Sequence, residues 1–349
     1  MKRSMTRARF WGRGLGSPAM AVAIAAIGTA CSSSTPPPKH DEELRADPPV
    51  VTATNSASTL KKGNPEADRG VAFAKAGKFD EAITHLRAGV EADATNAEAA
   101  FYLAVCLEQT QGDRKEIEKL YKRAFDADPK LVDAALNLAS MYLEDPPRPK
   151  EAIQVLDKAL KQAPGDPKLL TNLGVAYALS GERDKAKKAY EDALQHDDSA
   201  ELHFALAALL FEEKLADQAL PHLLKAAAGF QDDADRLAAI GVMLGPAKAY
   251  SDCVKVFNRA IELKANVSEF WVRRGLCKHE LKKELDASKD FERAIKLDPN
   301  FQPAHYYLGR SLLAQKDKNG ARQAFKNAVK LGKDTPIGKQ AQEQLDRTR

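Results

Sequence analysis

Apolar and polar positions follow two nested periods from Gly63 to Thr335. Within short stretches, small or apolar side chains recur three and four residues apart, the spacing of one helix face. Polar turns separate these stretches, and the paired pattern returns eight times at intervals of about 34 residues. In the best-formed copy, Ser268 to Phe301, residues Trp271, Gly275, Ala287, Phe291, Ala294 and Pro299 hold relative positions 4, 8, 20, 24, 27 and 32. Positions 4 and 8 share a face of a first helix, A, while 20, 24 and 27 share a face of a second, B. Gly or Ala at the crossing lets the two axes approach closely. Proline at 32 stops helix B, because it cannot continue the hydrogen-bond ladder and disfavours helix in the residue before it. A hairpin this small cannot bury its own apolar face, so each must stack on the next.

The signature recurs with drift. Leu103, Ala104, Ile117, Tyr121, Ala124 and Pro129 carry it in the second copy, and Leu138, Ala139, Tyr142, Ala152, Leu156, Ala159 and Pro164 in the third. Both run one residue over the period, which predicts longer inter-helix turns. The fourth has Leu173, Gly174, Tyr177, Gly181, Ala186, Tyr190 and Ala193. The fifth has Leu206, Ala207, Ala219, Leu223 and Ala226, with Pro221 expected near the start of helix B, where a missing N–H costs little. The sixth and eighth use Ile240, Gly241, Cys253, Phe257 and Ala260, and Leu308, Gly309, Ala321, Phe325 and Ala328. In the first, Gly70, Phe73, Ala82 and Leu86 fit, but Glu66 and Arg69 replace apolar residues, as suits a terminal unit with a wet outer face.

This pattern resembles the tetratricopeptide repeat. The resemblance implies an all-α, right-handed α-solenoid of about eight helix-turn-helix repeats over 63–335. Ile337, Ala341 and Leu345, spaced by four, predict a capping helix over 336–349.

Ahead of the repeats, Lys2, Arg3, Arg7, Arg9 and Arg13 precede an apolar run, Ala19 to Ile27, the pattern of a secretory signal peptide over 1–30. Gly28-Thr29-Ala30-Cys31 resembles a bacterial lipobox, which implies acylation of Cys31 and attachment to a membrane. The lipobox prefers Leu where this chain has Gly28, so ordinary cleavage near Ala30 stays open. The apolar run is shorter than the roughly 20 residues that span a bilayer. With Ser32 and Ser33 after the cysteine and no aspartate, the resemblance implies the outer membrane, facing the periplasm, if the host is Gram-negative. Residues 31–62, rich in Pro, Ser and Thr, read as a disordered linker.

Processing changes the charge. The precursor is net +4, but removing residues 1–30 takes away five basic side chains and no acidic one, leaving 48 against 49 and a net charge of −1. A near-neutral, exported chain is not expected to bind nucleic acid. Cys106, Cys253 and Cys277 read as small core residues; Cys253 and Cys277 lie in adjacent repeats and could also pair. The seven histidines are scattered, with no short-spaced pair for a metal. Gly12, Gly14 and Gly16 fall inside the leader and lack a phosphate-loop lysine, and no nucleophile motif appears. Neither a cofactor nor a small-molecule substrate is expected, and the chain reads as a non-enzyme.

Members of the resembled family bind partners in a concave groove lined by helix A. Mapped onto this sequence, the groove positions are Phe101, Tyr102 and Glu108, then Asn137 and Ser140, Thr171 and Asn172, Phe204 and Phe211, Arg273 and His279, and Tyr306, Tyr307 and Arg310. Asn137 and Asn172, at one position in consecutive repeats, suit the backbone of an extended peptide. Tyr306, Tyr307, Arg273 and Arg310 suit an interface anchor, the arginines receiving a carboxylate. The resemblance implies a protein-binding scaffold or adaptor in the cell envelope, assembling or regulating a pilus, secretion, motility or cell-wall machine. The alternative is a soluble periplasmic module for glycan or for general protein interaction.

Overall fold

Seventeen helices and no strand occur among the described residues, 64–144 and 146–348, of the computed structural model. The expected leader, the lipobox cysteine Cys31 and the linker lie outside those residues. The helices form eight hairpins: α1 (Pro65–Lys75) with α2 (Phe79–Ala92), α3 (Ala97–Gln109) with α4 (Arg114–Ala127), α5 (Val132–Leu143) with α6 (Pro149–Leu160), and α7 (Pro167–Leu179) with α8 (Arg183–Leu194). Then come α9 (Ala200–Glu212) with α10 (Ala216–Gly229), α11 (Ala234–Leu244) with α12 (Tyr250–Leu263), α13 (Ser268–Glu280) with α14 (Glu284–Leu297), and α15 (Gln302–Ala314) with α16 (Lys318–Leu331). The last helix, α17 (Pro336–Arg347), packs Ile337, Ala341 and Leu345 onto the eighth hairpin.

Local chemistry sets where these helices start and stop. Asn64, Asn96, Asp113, Asp166 and Asp233 cap helices by accepting backbone N–H bonds with their side chains. Helix A ends the same way in six hairpins, with a left-handed residue two past its last residue: Gly77, Gln111, Gly181, Lys214, Lys282 or Lys316; in the sixth hairpin the left-handed residue, Lys248, stands four past Leu244. In α9, for example, Lys214 N–H donates to Phe211 O (3.0 Å) and Leu215 N–H to Leu210 O (2.9 Å), which satisfies the orphan carbonyls of the last turn. The second hairpin spends its extra residue here, with four residues between helices. The third has the longer link 144–148, held by Arg148, whose guanidinium pairs with Glu118 of α4 (3.1 and 2.7 Å) and lies 4.3 Å from the Tyr142 ring. One expectation needs correcting. Pro221 is the sixth residue of α10, past the first turn, where it deletes a ladder bond on an exposed face.

The hairpins close where the small residue of helix A meets the large one of helix B. A Cβ on Gly174, Gly241, Gly275 or Gly309 would sit 2.5–2.7 Å from the ring of Tyr190, Phe257, Phe291 or Phe325. Those rings are almost completely buried. Glycine is therefore demanded by close approach, and the ring it admits fills the core.

The described helices form two compact units, one ending at His196 and one starting at Asp197. In each, helices pack on their chain neighbours, and A helices also touch directly, as α1 with α3, α5 with α7, and α13 with α15. In the second unit a disulfide joins Cys253 of α12 to Cys277 of α13, with the Cα atoms 6.2 Å apart. Cys106 is a free, buried thiol whose pKa burial pushes up to about 11.

Candidate functional site

In the first unit, the A helices present Phe101 and Tyr102, both half-buried, with their rings edge to face at 5.4 Å. Lys75 of α1 lies 5.1 Å from the Tyr102 ring centroid and 3.3 Å from Glu98, which ties the first hairpin to the second. Asn137, half-buried on α5, donates to Tyr121 Oη (3.1 Å), and that hydroxyl donates to Glu108 Oε2 (2.8 Å). The chain Asn137–Tyr121–Glu108 thus crosses three helices. Burial, followed by the nearby Glu108 charge, pushes the Tyr121 phenol pKa far up, so it stays a donor.

Asn172 behaves differently at the equivalent position. It is 2% exposed and donates to Lys168 O (3.2 Å) in its own helix, while Thr171 turns back to Pro167 O (2.6 Å). The expected amide pair is corrected to a single accessible amide. The cause lies one hairpin earlier: Tyr121 offers Asn137 a hydroxyl, whereas Leu156 stands where Asn172 would need one.

In the second unit, four more expected groove residues are corrected by burial. Phe204 is fully buried and stacks edge to face on Phe230 at 6.0 Å. Tyr306 and Tyr307 are also core residues: they pack edge to face at 5.1 Å, with Tyr306 against Phe325 and Tyr307 against Phe291. Desolvation pushes both phenol pKa values up. Arg273 is buried too, with Nε and Nη2 donating to Glu269 Oε1 (3.2 and 2.9 Å).

Arg310 and Phe211 remain half-exposed. The Arg310 guanidinium lies 5.8 Å from the Tyr307 ring, and its Nη2 is 3.3 Å from His279 Nε2. His279 Nδ1 is 2.7 Å from Glu284 Oε2, and Ser311 Oγ donates to Glu284 O (2.9 Å). With Nδ1–H given to the carboxylate, His279 Nε2 accepts from Arg310 and aims it. Arg310 has no carboxylate partner among the described residues.

Sequence spacing missed one histidine contact. His203 Nδ1 lies 2.7 Å from His222 Nδ1, and His203 Nε2 lies 2.7 Å from Asp198, which also receives Lys225 at 2.8 Å. The two histidines are 19 residues apart and meet because positions 4 and 23 of one hairpin face each other. Among the described residues, no group of three or more His, Cys, Asp or Glu side chains could hold a metal ion, and no helix is long and apolar enough to cross a membrane.

Models described as tetratricopeptide repeat match residues 67–116, 110–167 and 285–336, residues 148–199, and residues 268–301. The chain is 30% identical over 111 residues to the E3 ubiquitin-protein ligase CHIP of Arabidopsis thaliana, covering 32% of this chain and 40% of that one. It is 28% identical over 103 residues to the heat shock protein STI1 of Saccharomyces cerevisiae, covering 29% and 18%. The matches thus span less than half the length of these curated relatives. Among solved structures, yeast Tom70 is similar at 18% identity with a TM-score of 0.46, covering 95% of this chain and 72% of that one. A MamA structure is similar at 20% identity with a TM-score of 0.44, covering 48% and 91%. The matched stretches together cover more than half of the sequence, and with the eight hairpins they establish that the chain belongs to the tetratricopeptide repeat family.

Proposed function

We propose that this protein is a non-catalytic scaffold or adaptor of a bacterial cell envelope, tethered through an acylated Cys31 and binding protein partners on its helix-A faces. The observation that carries the reading is the set of half-exposed residues on those faces: Phe101, Tyr102 and Asn137 in the first unit, Phe211 and an aimed Arg310 in the second. Aromatic, amide and arginine side chains of this kind are enriched where proteins dock. The Cys253–Cys277 disulfide supports maturation in an oxidising compartment, in keeping with an exported chain. An assembly or regulatory role in a pilus, secretion, motility or cell-wall complex follows from a tethered binding stack.

The test is affinity purification of the protein from native envelopes together with acyl labelling. Labelled fatty acid should enter the wild type and not Cys31→Ser, and a defined protein should co-purify with the wild type and be depleted by Tyr102→Ala with Arg310→Glu. Recovery of no protein partner would sink the adaptor reading. Labelling that survives Cys31→Ser would remove the anchor.

A further inference from the structure

Helix α16 carries Lys318, Arg322, Lys326 and Lys330 and no acidic residue, and Lys333 follows in the turn after it. The first four recur every fourth position, so they form one ridge along the helix, on the order of 18 Å long. Ala321, Ala324, Phe325 and Ala328 hold the other side of α16 in the core. The four lysines are exposed and Arg322 is half-buried. None of the five has an ion-pair partner among the described residues.

The nearby acids do not neutralise the ridge. Asp317 caps α16 by accepting from Gly320 N (2.9 Å), and Asp346 on α17 accepts from Gln342 (3.1 Å). Asp334 and Glu343 are offset by Lys339 and Arg347 on the same short segment. Since the processed chain is net −1, these five cations stand on a protein whose other residues sum to −6. Such polarity orients a molecule in an external field.

The chemistry of the ridge selects its partner. Four of the five cations are lysines, point charges without the rigid fork that reads a fixed carboxylate or phosphate. Phe325, the one aromatic of α16, is fully buried, so no platform is left for stacking bases. Leu331, among the few exposed large apolar side chains, stands between Lys330 and Lys333. A row of lysines beside an exposed leucine fits a surface of many mobile anions over an apolar interior. We propose that the α16 ridge is an electrostatic docking surface for an anionic phospholipid membrane, distinct from any acyl anchor.

The experiment uses the full chain carrying Cys31→Ser, so that acylation plays no part and the N-terminal segment is common to every sample. Sedimentation is measured with phosphatidylcholine vesicles, and with vesicles in which about three lipids in ten are phosphatidylglycerol. Against the anionic vesicles at low salt, Lys326→Glu/Lys330→Glu/Lys333→Glu should bind at least about a hundredfold more weakly, from a factor of about five for each lysine lost. The two proteins should bind neutral vesicles equally, and high salt should erase the difference. Replacing the same three lysines by arginine should preserve binding. Unchanged helicity and Tm show that each variant is folded, as expected for exposed side chains without partners. Equal binding of the wild type and the glutamate variant to anionic vesicles overturns the proposal. So does variant-sensitive binding to a duplex oligonucleotide without binding to vesicles.

Discussion

Gly309→Ala is a sharp test of how the hairpins are held closed. The added methyl would lie 2.6 Å from Phe325 Cε1, 2.7 Å from Cδ1 and 3.0 Å from Cζ, well inside contact distance. Phe325 is fully buried and its ring is flanked by that of Tyr306 at 6.0 Å, so it has little room to swing aside. Overpacking of this kind costs about 1–3 kcal/mol, and the trapped ring places the cost in the upper part of that range. Alanine returns about 1 kcal/mol through its helix propensity, which leaves a net loss of about 1–2 kcal/mol. For a unit of this size the melting temperature followed by circular dichroism should fall by about 3–8 °C. Adding Phe325→Leu recreates the Ala and Leu pairing of the third and fifth hairpins, Ala139 with Leu156 and Ala207 with Leu223. The double variant should therefore be more stable than the two single losses sum to, by at least about 1 kcal/mol. Strict additivity, or a Gly309→Ala protein as stable as the wild type, would refute the close-crossing account.

Three further outcomes follow from particular contacts. Lys282→Gly should raise the melting temperature slightly, because Lys282 has φ 65°, in the left-handed region that costs a non-glycine residue about 1 kcal/mol. Cys253→Ser should lower the stability of the second unit by about 3.5 kcal/mol, the closure entropy for a sequence separation of 24, and reductant should then have no further effect on its unfolding curve. The hydrogen bonds from Arg148 hold the Glu118 carboxyl below its ordinary value of 4.5. Its folded pKa is depressed, so the stability it contributes is complete above the unfolded value and is lost as pH falls through the folded one. Arg148→Ala should bring the Glu118 titration, read by carboxyl NMR shifts, back toward 4.5; an unchanged midpoint would contradict the pairing.

The sequence exposes the crossings because they obey a local rule, small against large at fixed spacing, repeated often enough to be unmistakable. The face offered to a partner obeys no such rule. Phe204 disappears because Phe230, in the turn after α10, covers it, and Tyr306 disappears beneath Phe325. Asn137 and Asn172 share a position, but their roles depend on whether the preceding hairpin supplies Tyr121 or Leu156. Cys253 and Cys277 read first as core residues that could also pair, because spacing along the chain does not fix a Cα separation; the structure joins them. The α16 ridge was present in the sequence as four basic residues at intervals of four, and summing charge over the whole chain concealed it.

Photo-crosslinking tests the central claim most directly. Benzophenone side chains placed in the intact cell at Tyr102 and Phe211, on helix-A faces, and at exposed Asp217 of α10 as a control, report which surface meets another protein. The account predicts discrete protein adducts from Tyr102 or Phe211, absent from the Asp217 position and reduced by Arg310→Glu in the second unit. Adducts arising equally from all three positions, or none from the helix-A faces, would contradict it.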